Sequence, residues 1–241
     1  MTATPANLRD VGGLPVEGGG IVRSGVLLRS DAPYHGDHPP QIGAWPPRTV
    51  IDLRAAEEAP SGHPLAEEHG ATVIGLSLHD SAGIAGVHLL PSGNAAFEEI
   101  YAGMLANGDV LAKIAEIVAV EPGPVLIHCT VGKDRTGVAI AVLLSAIGVP
   151  RDAVIADYLL TEQNMDGVVD RLRLTFADHP EIDIDAIVRE RADLLEASPE
   201  GLAAALDAME LRHGGASGLL LEAGLEDDVL ESLRQRLVEP A

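Results

Sequence analysis

The sequence predicts an α/β protein, a central, mostly parallel sheet flanked by helices, with additional helices towards the C-terminus. Three observations carry that expectation. An apolar run, Pro124 to Ile127, leads into a polar, glycine-bearing stretch, His128 to Gly137, and a helical apolar run, Val138 to Ile147, follows it. Strand, tight loop and helix in that order are the repeating unit of parallel sheets. Arg48 to Arg54 is a short apolar run ending in charge, as a strand buried on both faces reads. Helical patterns recur over Asn94–Ala106 and Asp109–Val120 and dominate the last third of the chain.

Composition bounds the reading further. The 241 residues are 46% hydrophobic with few aromatics, which suits a globular chain long enough to bury a substantial core. No linker or repeat breaks it, so one domain over 1–241 is expected. A formal charge of −21 excludes nucleic acid and anionic membrane as general partners, since both need a basic face. A lone cysteine excludes an internal disulfide and a cysteine-built zinc site. The N-terminal residues lack a signal pattern and the longest apolar run, Val138 to Val149, is too short to span a membrane, so a cytoplasmic protein is expected, with signal-less export left open.

Taken in order, Asn7 to Gly13 reads as a strand ending in a glycine turn, with Arg9 and Asp10 able to pair. Ile21 to Ser30 alternates around Gly25 and reads as a hairpin or strand pair, Glu17 to Gly20 being the turn. His35, His38 and His63 lie in proline- and glycine-rich stretches at spacings matching no common ligand pattern, which makes them exposed loop histidines and predicts no metal site. The strand ending at Asp52 and Arg54 puts charge where α/β sheets place ligands, although an ion pair supporting the loops fits equally. Ala55 onward carries acidic residues suited to a helix start.

Ala71 to Leu78 is the next strand and runs into His79-Asp80-Ser81-Ala82-Gly83. Of the two helices that follow, the second takes Asp109 as its N-cap. Glu121 to Pro124 turns the chain into the strand before the loop. Gly148 to Pro150 ends the loop helix, and Asp152 to Leu160 begins another. Met165 to Glu196 is helical but mixed, Ser198-Pro199 caps a clean helix stopped by Gly214-Gly215, and Glu226 to Val238 is a last amphipathic helix.

The chemistry concentrates in the loop. Successive backbone N–H groups of Thr130, Val131, Gly132, Lys133 and Asp134, above a helix N-terminus, make a concave anion site suited to phosphate. Cys129 sits at its entrance, where those partial charges and Arg135 favour the thiolate and make it a nucleophile. The Arg135 fork can bind two phosphoryl oxygens at once. Thr136 can donate its hydroxyl to the sulfur as it leaves, and His128 supports the cysteine's surroundings.

The stretch His128-Cys129-Thr130-Val131-Gly132-Lys133-Asp134-Arg135-Thr136-Gly137 resembles the Cys-x5-Arg signature of cysteine-dependent phosphatases, in the Gly-Lys-Asp-Arg-Thr-Gly form of the bacterial tyrosine phosphatase family. Asn7 to Gly13, Leu28-Arg29-Ser30, Ile51 to Arg54 and Asp157 to Leu160 resemble segments of the same family, and the likeness runs from about Asn7 to Leu237. It implies a cysteine-phosphatase fold and a phosphomonoesterase needing no cofactor. Its substrates would be phosphotyrosine proteins, with phosphoserine, phosphothreonine or phosphoinositides as further candidates. Lys133 resembles loop lysines of phosphoinositide phosphatases. The family places a leaving-group acid where this chain has Asp80, which follows a strand and precedes a flexible stretch; Asp134 is the rival for that role. The same likeness implies that 163–197 is a helical lid over the site, and the other reading of it is a pair of peripheral helices. A phosphate-binding module without activity and a rhodanese-type sulfurtransferase, whose loop is one residue shorter, are the alternatives.

Overall fold

A computed structural model describes residues 4–59, 62–79, 93–179 and 182–240. Its main sheet has five strands, β1 (Arg9–Asp10), β3 (Leu27–Ser30), β4 (Thr49–Asp52), β5 (Thr72–Gly75) and β6 (Val125–His128), in the order β1-β3-β6-β4-β5. Only the β1–β3 pair is antiparallel. Expected and observed architectures agree, a mostly parallel sheet flanked by helices.

The period-two alternation of the strands sorts their side chains. Leu27, Ile51, Val125 and Ile127 point into the larger core, and Leu28, Val50 and Leu126 into a smaller one. The larger core is covered by α2 (Asn94–Leu105), α3 (Gly108–Val120), α4 (Asp134–Ala146), α5 (Arg151–Leu159), α8 (Pro199–His213), α9 (Ala216–Glu222) and α10 (Asp227–Leu237). The smaller one is closed by Leu65 of α1 (Pro64–His69). Helix α4 is buried on nearly every side, which is why its sequence is apolar all round. The two remaining helices, α6 (Met165–Thr175) and α7 (Ile184–Glu190), share a third cluster with Val131 and Ala6.

Strand register fixes where the chemistry sits. Ser30, His128 and Asp52 are in register across β3, β6 and β4, so the three following loops open together at the carboxyl edge of the sheet.

Several local expectations are corrected. Ile21 to Ser30 is not a strand pair: β2 (Ile21–Val22) pairs with β7 (Val238–Glu239), while β3 joins the main sheet. The glycine turn does form, but it bridges Pro15 to Ile21. A partner more than two hundred residues away leaves no local trace. The loop helix starts at Asp134, not Val138, which brings Arg135 into its first turn. Asp109 lies inside the first turn of α3 rather than at its N-cap, Asn107, although its charge still suits that end of the helix. The acidic stretch after Ala55 forms turns, and α1 begins at Pro64 with His63 as its N-cap. His63 is therefore buried, not an exposed loop residue.

Candidate active site

The loop between β6 and α4 is shaped by its carbonyls. The Cys129 oxygen lies 3.1 Å from His128 Nδ1, and the Thr130 oxygen accepts from the Ala32 N–H at 3.0 Å. Asn7 Nδ2 donates to the oxygens of both Val131 and Gly132 at 3.1 Å, and Arg29 donates to the Gly132 oxygen at 2.9 Å. A planar trans peptide points its N–H opposite its carbonyl. Four carbonyls held on the outer side therefore turn the N–H groups of residues 130–133 inward, and the amides of Thr130, Val131 and Gly132 donate to no described residue. These inward donors and the first turn of α4 form a bowl of positive partial charge suited to an oxyanion. Gly132 has φ +72°, and a Cβ there would lie 2.5 Å from the Ser30 carbonyl carbon. Only glycine fits.

Cys129, the one cysteine, is buried at the start of the bowl. Both terminal nitrogens of Arg135 are held by Glu58, Nη1 to Oε1 at 2.6 Å and Nη2 to Oε2 at 2.9 Å. Burial works against the charge on this guanidinium, and the Glu58 hydrogen bond and the Cys129 sulfur outweigh it, holding its proton more firmly than usual. Glu58 is held below the usual carboxylate range: burial opposes this, but the Arg135 hydrogen bond prevails. Thr130 Oγ1 also donates to Glu58, at 3.3 Å. Thr136 Oγ1 is buried with no hydrogen-bond partner among the described residues, which leaves it available to a ligand or to the sulfur.

Buried charges tie the residues that hold the bowl to one another. Arg9 and Arg29 converge on Asp157, at 3.0 and 2.6 Å. Arg9 also binds the Asn7 side chain, at 2.6 Å, and so fixes the amide that holds the loop carbonyls. Its pKa falls to about 10, through burial first and then the like charge of Arg29. The expected Arg9–Asp10 pair does not form. Asp10 instead accepts from the N–H groups of Gly12 and Gly25.

Asp134 is oriented by a directed chain. As a carboxylate it can only accept, so Tyr101 donates to it at 2.6 Å; the Tyr101 oxygen then takes the Tyr158 hydroxyl at 2.7 Å, and Tyr158 accepts from the Ser198 N–H at 2.9 Å. Burial pushes both tyrosine hydroxyls to hold their protons well above the ordinary range, as donors in such a chain must. Ser198 at the same time caps α8 through Gly201. Lys133 contributes its backbone to the bowl, while its buried ammonium donates to the Glu196 oxygen at 2.8 Å and lies 3.6 Å from Asp134. Loop residues Lys133 and Asp134 are thus both tied to the chain at 196–198.

Behind the cysteine, Asp52, His63 and His128 are, among the described residues, the group with metal-donor spacing. Its lone pairs are already committed. Arg54 takes both Asp52 oxygens, the two histidines share a hydrogen bond at 3.1 Å, and His63 Nδ1 accepts from the Leu65 N–H. A hydrogen-bonded chain accounts for the cluster without an ion. The Asp52 carboxyl sits at about 2, because neighbouring His128 and the Arg54 hydrogen bonds outweigh the burial that opposes ionisation.

The structure therefore brings together His128, Cys129, Thr130, Val131, Gly132, Lys133, Asp134, Arg135 and Thr136. Asp80 lies outside the described residues. Glu58, Asn7, Tyr101, Tyr158 and His63 were not anticipated as parts of the site. The family-like segments at 7–13 and 157–160 marked two of them, whereas Glu58 and His63 carry no local signal. Of the segment 163–197, α6 is anchored by buried Arg171, which binds Asp31 at 2.7 Å and Asp37 at 2.8 Å, and its neighbour Val131 belongs to the bowl.

The chain is similar to known tyrosine phosphatases. The model of the "Tyrosine phosphatase family" matches residues 2–239. The chain is 32% identical over 117 residues to the triple specificity protein phosphatase PtpB of Mycobacterium tuberculosis, which covers 46% of this chain and 42% of that one. It is 30% identical over 196 residues to a tyrosine-protein phosphatase of Nostoc commune, covering 78% and 65% of the two chains. A protein of Cupriavidus necator with a similar name is 31% identical over 174 residues, covering 66% and 62%. Each match spans less than two thirds of the relative's length.

Proposed function

Because this chain belongs to the tyrosine phosphatase family, we propose that it is a metal-independent phosphomonoesterase that hydrolyses phosphotyrosine through a phosphocysteine intermediate on Cys129. The observation that carries this reading is the bowl itself: outward carbonyls, inward amides, a cysteine at its start and a forked arginine held by Glu58.

In the first step the Cys129 thiolate attacks phosphorus in line and the phosphorus–oxygen bond to the leaving group breaks. That oxygen takes a proton from a carboxylic acid, Asp80 or Asp134. Arg135 and the loop amides bind the three transferring oxygens, whose charge spreads in the transition state. In the second step water attacks phosphorus and gives a proton to a carboxylate. The sulfur leaves as thiolate, with the Thr136 hydroxyl turned to it, and inorganic phosphate departs. Asp134 is the carboxylate whose surroundings support a role, since Tyr101 and Lys133 both orient it. We place phosphorylated proteins first as substrates and set phosphoserine, phosphothreonine and phosphoinositides beside them. The lone thiol fits a reducing compartment such as the cytoplasm. No helix among the described residues is long and apolar enough to cross a membrane. The segment 163–197 is proposed as a cover over the bowl, on the contact of its cluster with Val131.

Hydrolysis of para-nitrophenyl phosphate in EDTA tests the reading. Turnover by the wild type and none by Cys129→Ser is expected; a wild type with reduced thiol and no turnover refutes it in favour of a binding module. Asp80→Asn and Asp134→Asn, measured separately, assign the acid.

A further inference from the structure

The hydrogen bonds behind the cysteine admit only one arrangement of protons. The Leu65 N–H donates to His63 Nδ1 at 3.2 Å, so that nitrogen carries a lone pair and the proton of a neutral His63 is on Nε2. His63 Nε2 faces His128 Nε2 at 3.1 Å, so the latter must accept. A neutral His128 is therefore protonated on Nδ1, which lies 3.1 Å from the Cys129 carbonyl oxygen and donates to it. The chain runs from the N-terminus of α1, through two imidazoles, to the peptide that links Cys129 to Thr130. A hydrogen bond to a carbonyl polarises its amide and strengthens the N–H at the other end as a donor. Here that N–H is Thr130's, one of those turned into the bowl.

From this geometry we propose that His63 is a positioning residue for the cysteine loop: its Nε2–H fixes His128 in the Nδ1–H tautomer that grips the Cys129 carbonyl. The catalytic consequence rests on the phosphatase reading above, whereas the tautomer assignment does not. A proton added to either ring would put two N–H groups face to face or break the cap on α1. The groups around the pair are Asp52 and Arg54 beside both rings, His35 and Glu67 beside His63, and the cysteine itself. Burial is the main influence and lowers both imidazoles, His128 to about 4, so the neutral chain persists through the physiological range. Free histidine has no such constraint, and the unanchored ring can exchange between tautomers.

The test pairs a spectrum with kinetics. Long-range proton–nitrogen correlation spectra of the wild type at pH 7 are expected to show His128 protonated on Nδ1 and His63 on Nε2. His63→Leu removes the donor, and His63→Gln keeps an N–H at a similar reach; both lose the cap to Leu65, so their difference isolates donation to His128. The leucine variant is expected to lose the Nδ1–H signature of His128 and about tenfold in kcat, with KM little changed, and the glutamine variant to recover most of both. Cys129→Ser, run alongside, reports separately on the phosphatase reading. An Nε2–H tautomer at His128 in the wild type overturns the proposal before any variant is made. So does a leucine variant with unchanged spectrum and kcat, or a glutamine variant as impaired as the leucine one.

Discussion

Replacing Gly132 by alanine, with Gly70→Ala as its control, isolates what the loop geometry contributes. The two glycines share one backbone conformation, φ +72° and +68°, but not one environment. At Gly70, the C-cap of α1, a Cβ would meet nothing within 4 Å. At Gly132 it would lie 2.5 Å from the Ser30 carbonyl carbon and 2.6 Å from the Asp31 nitrogen, both backbone atoms that no side-chain rotation can move. Both variants carry the left-handed strain of a Cβ, about 1 kcal/mol, which for a chain of this size lowers the melting temperature by about 2–4 °C. Only Gly132→Ala must also part the loop from β3, by about 1 Å, to restore ordinary contact, and a misplacement of that order costs about 100-fold in turnover. The assay is kcat/KM on para-nitrophenyl phosphate, with inhibition by orthovanadate as a direct probe of the oxyanion bowl. Gly70→Ala should melt lower and work normally. Gly132→Ala should lose about 100-fold in kcat/KM and bind vanadate weakly. A Gly132→Ala protein with full turnover and full vanadate affinity would mean that the outward carbonyls do not set the inward amides, and the reasoning would fail.

Glu58→Gln should lower kcat/KM by about 10- to 100-fold, since a charge-assisted bond of about 1.5–3 kcal/mol no longer steadies Arg135. A faster enzyme would instead show that Glu58 competes with phosphate for the fork. Asp52, at about 2 in the folded protein, lies below its ordinary value of 3.8, so its stabilisation is complete above that value and is lost as pH falls through about 2. Acid melting curves should be steeper for the wild type than for Asp52→Asn below about pH 4. Within the proposed cover, α6 buries five residues including Arg171 whereas α7 buries Ile184 alone, so amide exchange should be faster throughout α7. Equal protection of the two would count against a cover that opens at α7.

The sheet was legible because its signals are local. Apolar runs at 48–54, 71–78 and 124–127 alternate with helical stretches, and each became a strand where expected, with boundaries off by a few residues. Cys129 and Arg135 were legible because their spacing and the glycines around them are contiguous. Illegible features depend on contacts between distant segments. Glu58 looked like one more acid after a strand, and its role exists only because register sets the β4 and β6 loops side by side. His63 looked like a loop histidine for the same reason, with its partner His128 sixty-five residues further on. Lys133 was legible as a loop residue, but nothing local predicts that the Glu196 carbonyl, sixty-three residues further on, will take its ammonium.

The loop carbonyls are held by Asn7, Arg29 and Ala32, each about a hundred residues or more from the loop in sequence. Closing such separations is the slow, entropically costly part of folding, and local helix formation does not accomplish it. A chain with all its helices but without these distant clamps would have no bowl, and its single thiol would react as an ordinary cysteine. The rate at which Cys129 is alkylated therefore doubles as a gauge of tertiary completion. In a refolding experiment it should reach its native value only after the helical circular dichroism signal has already returned.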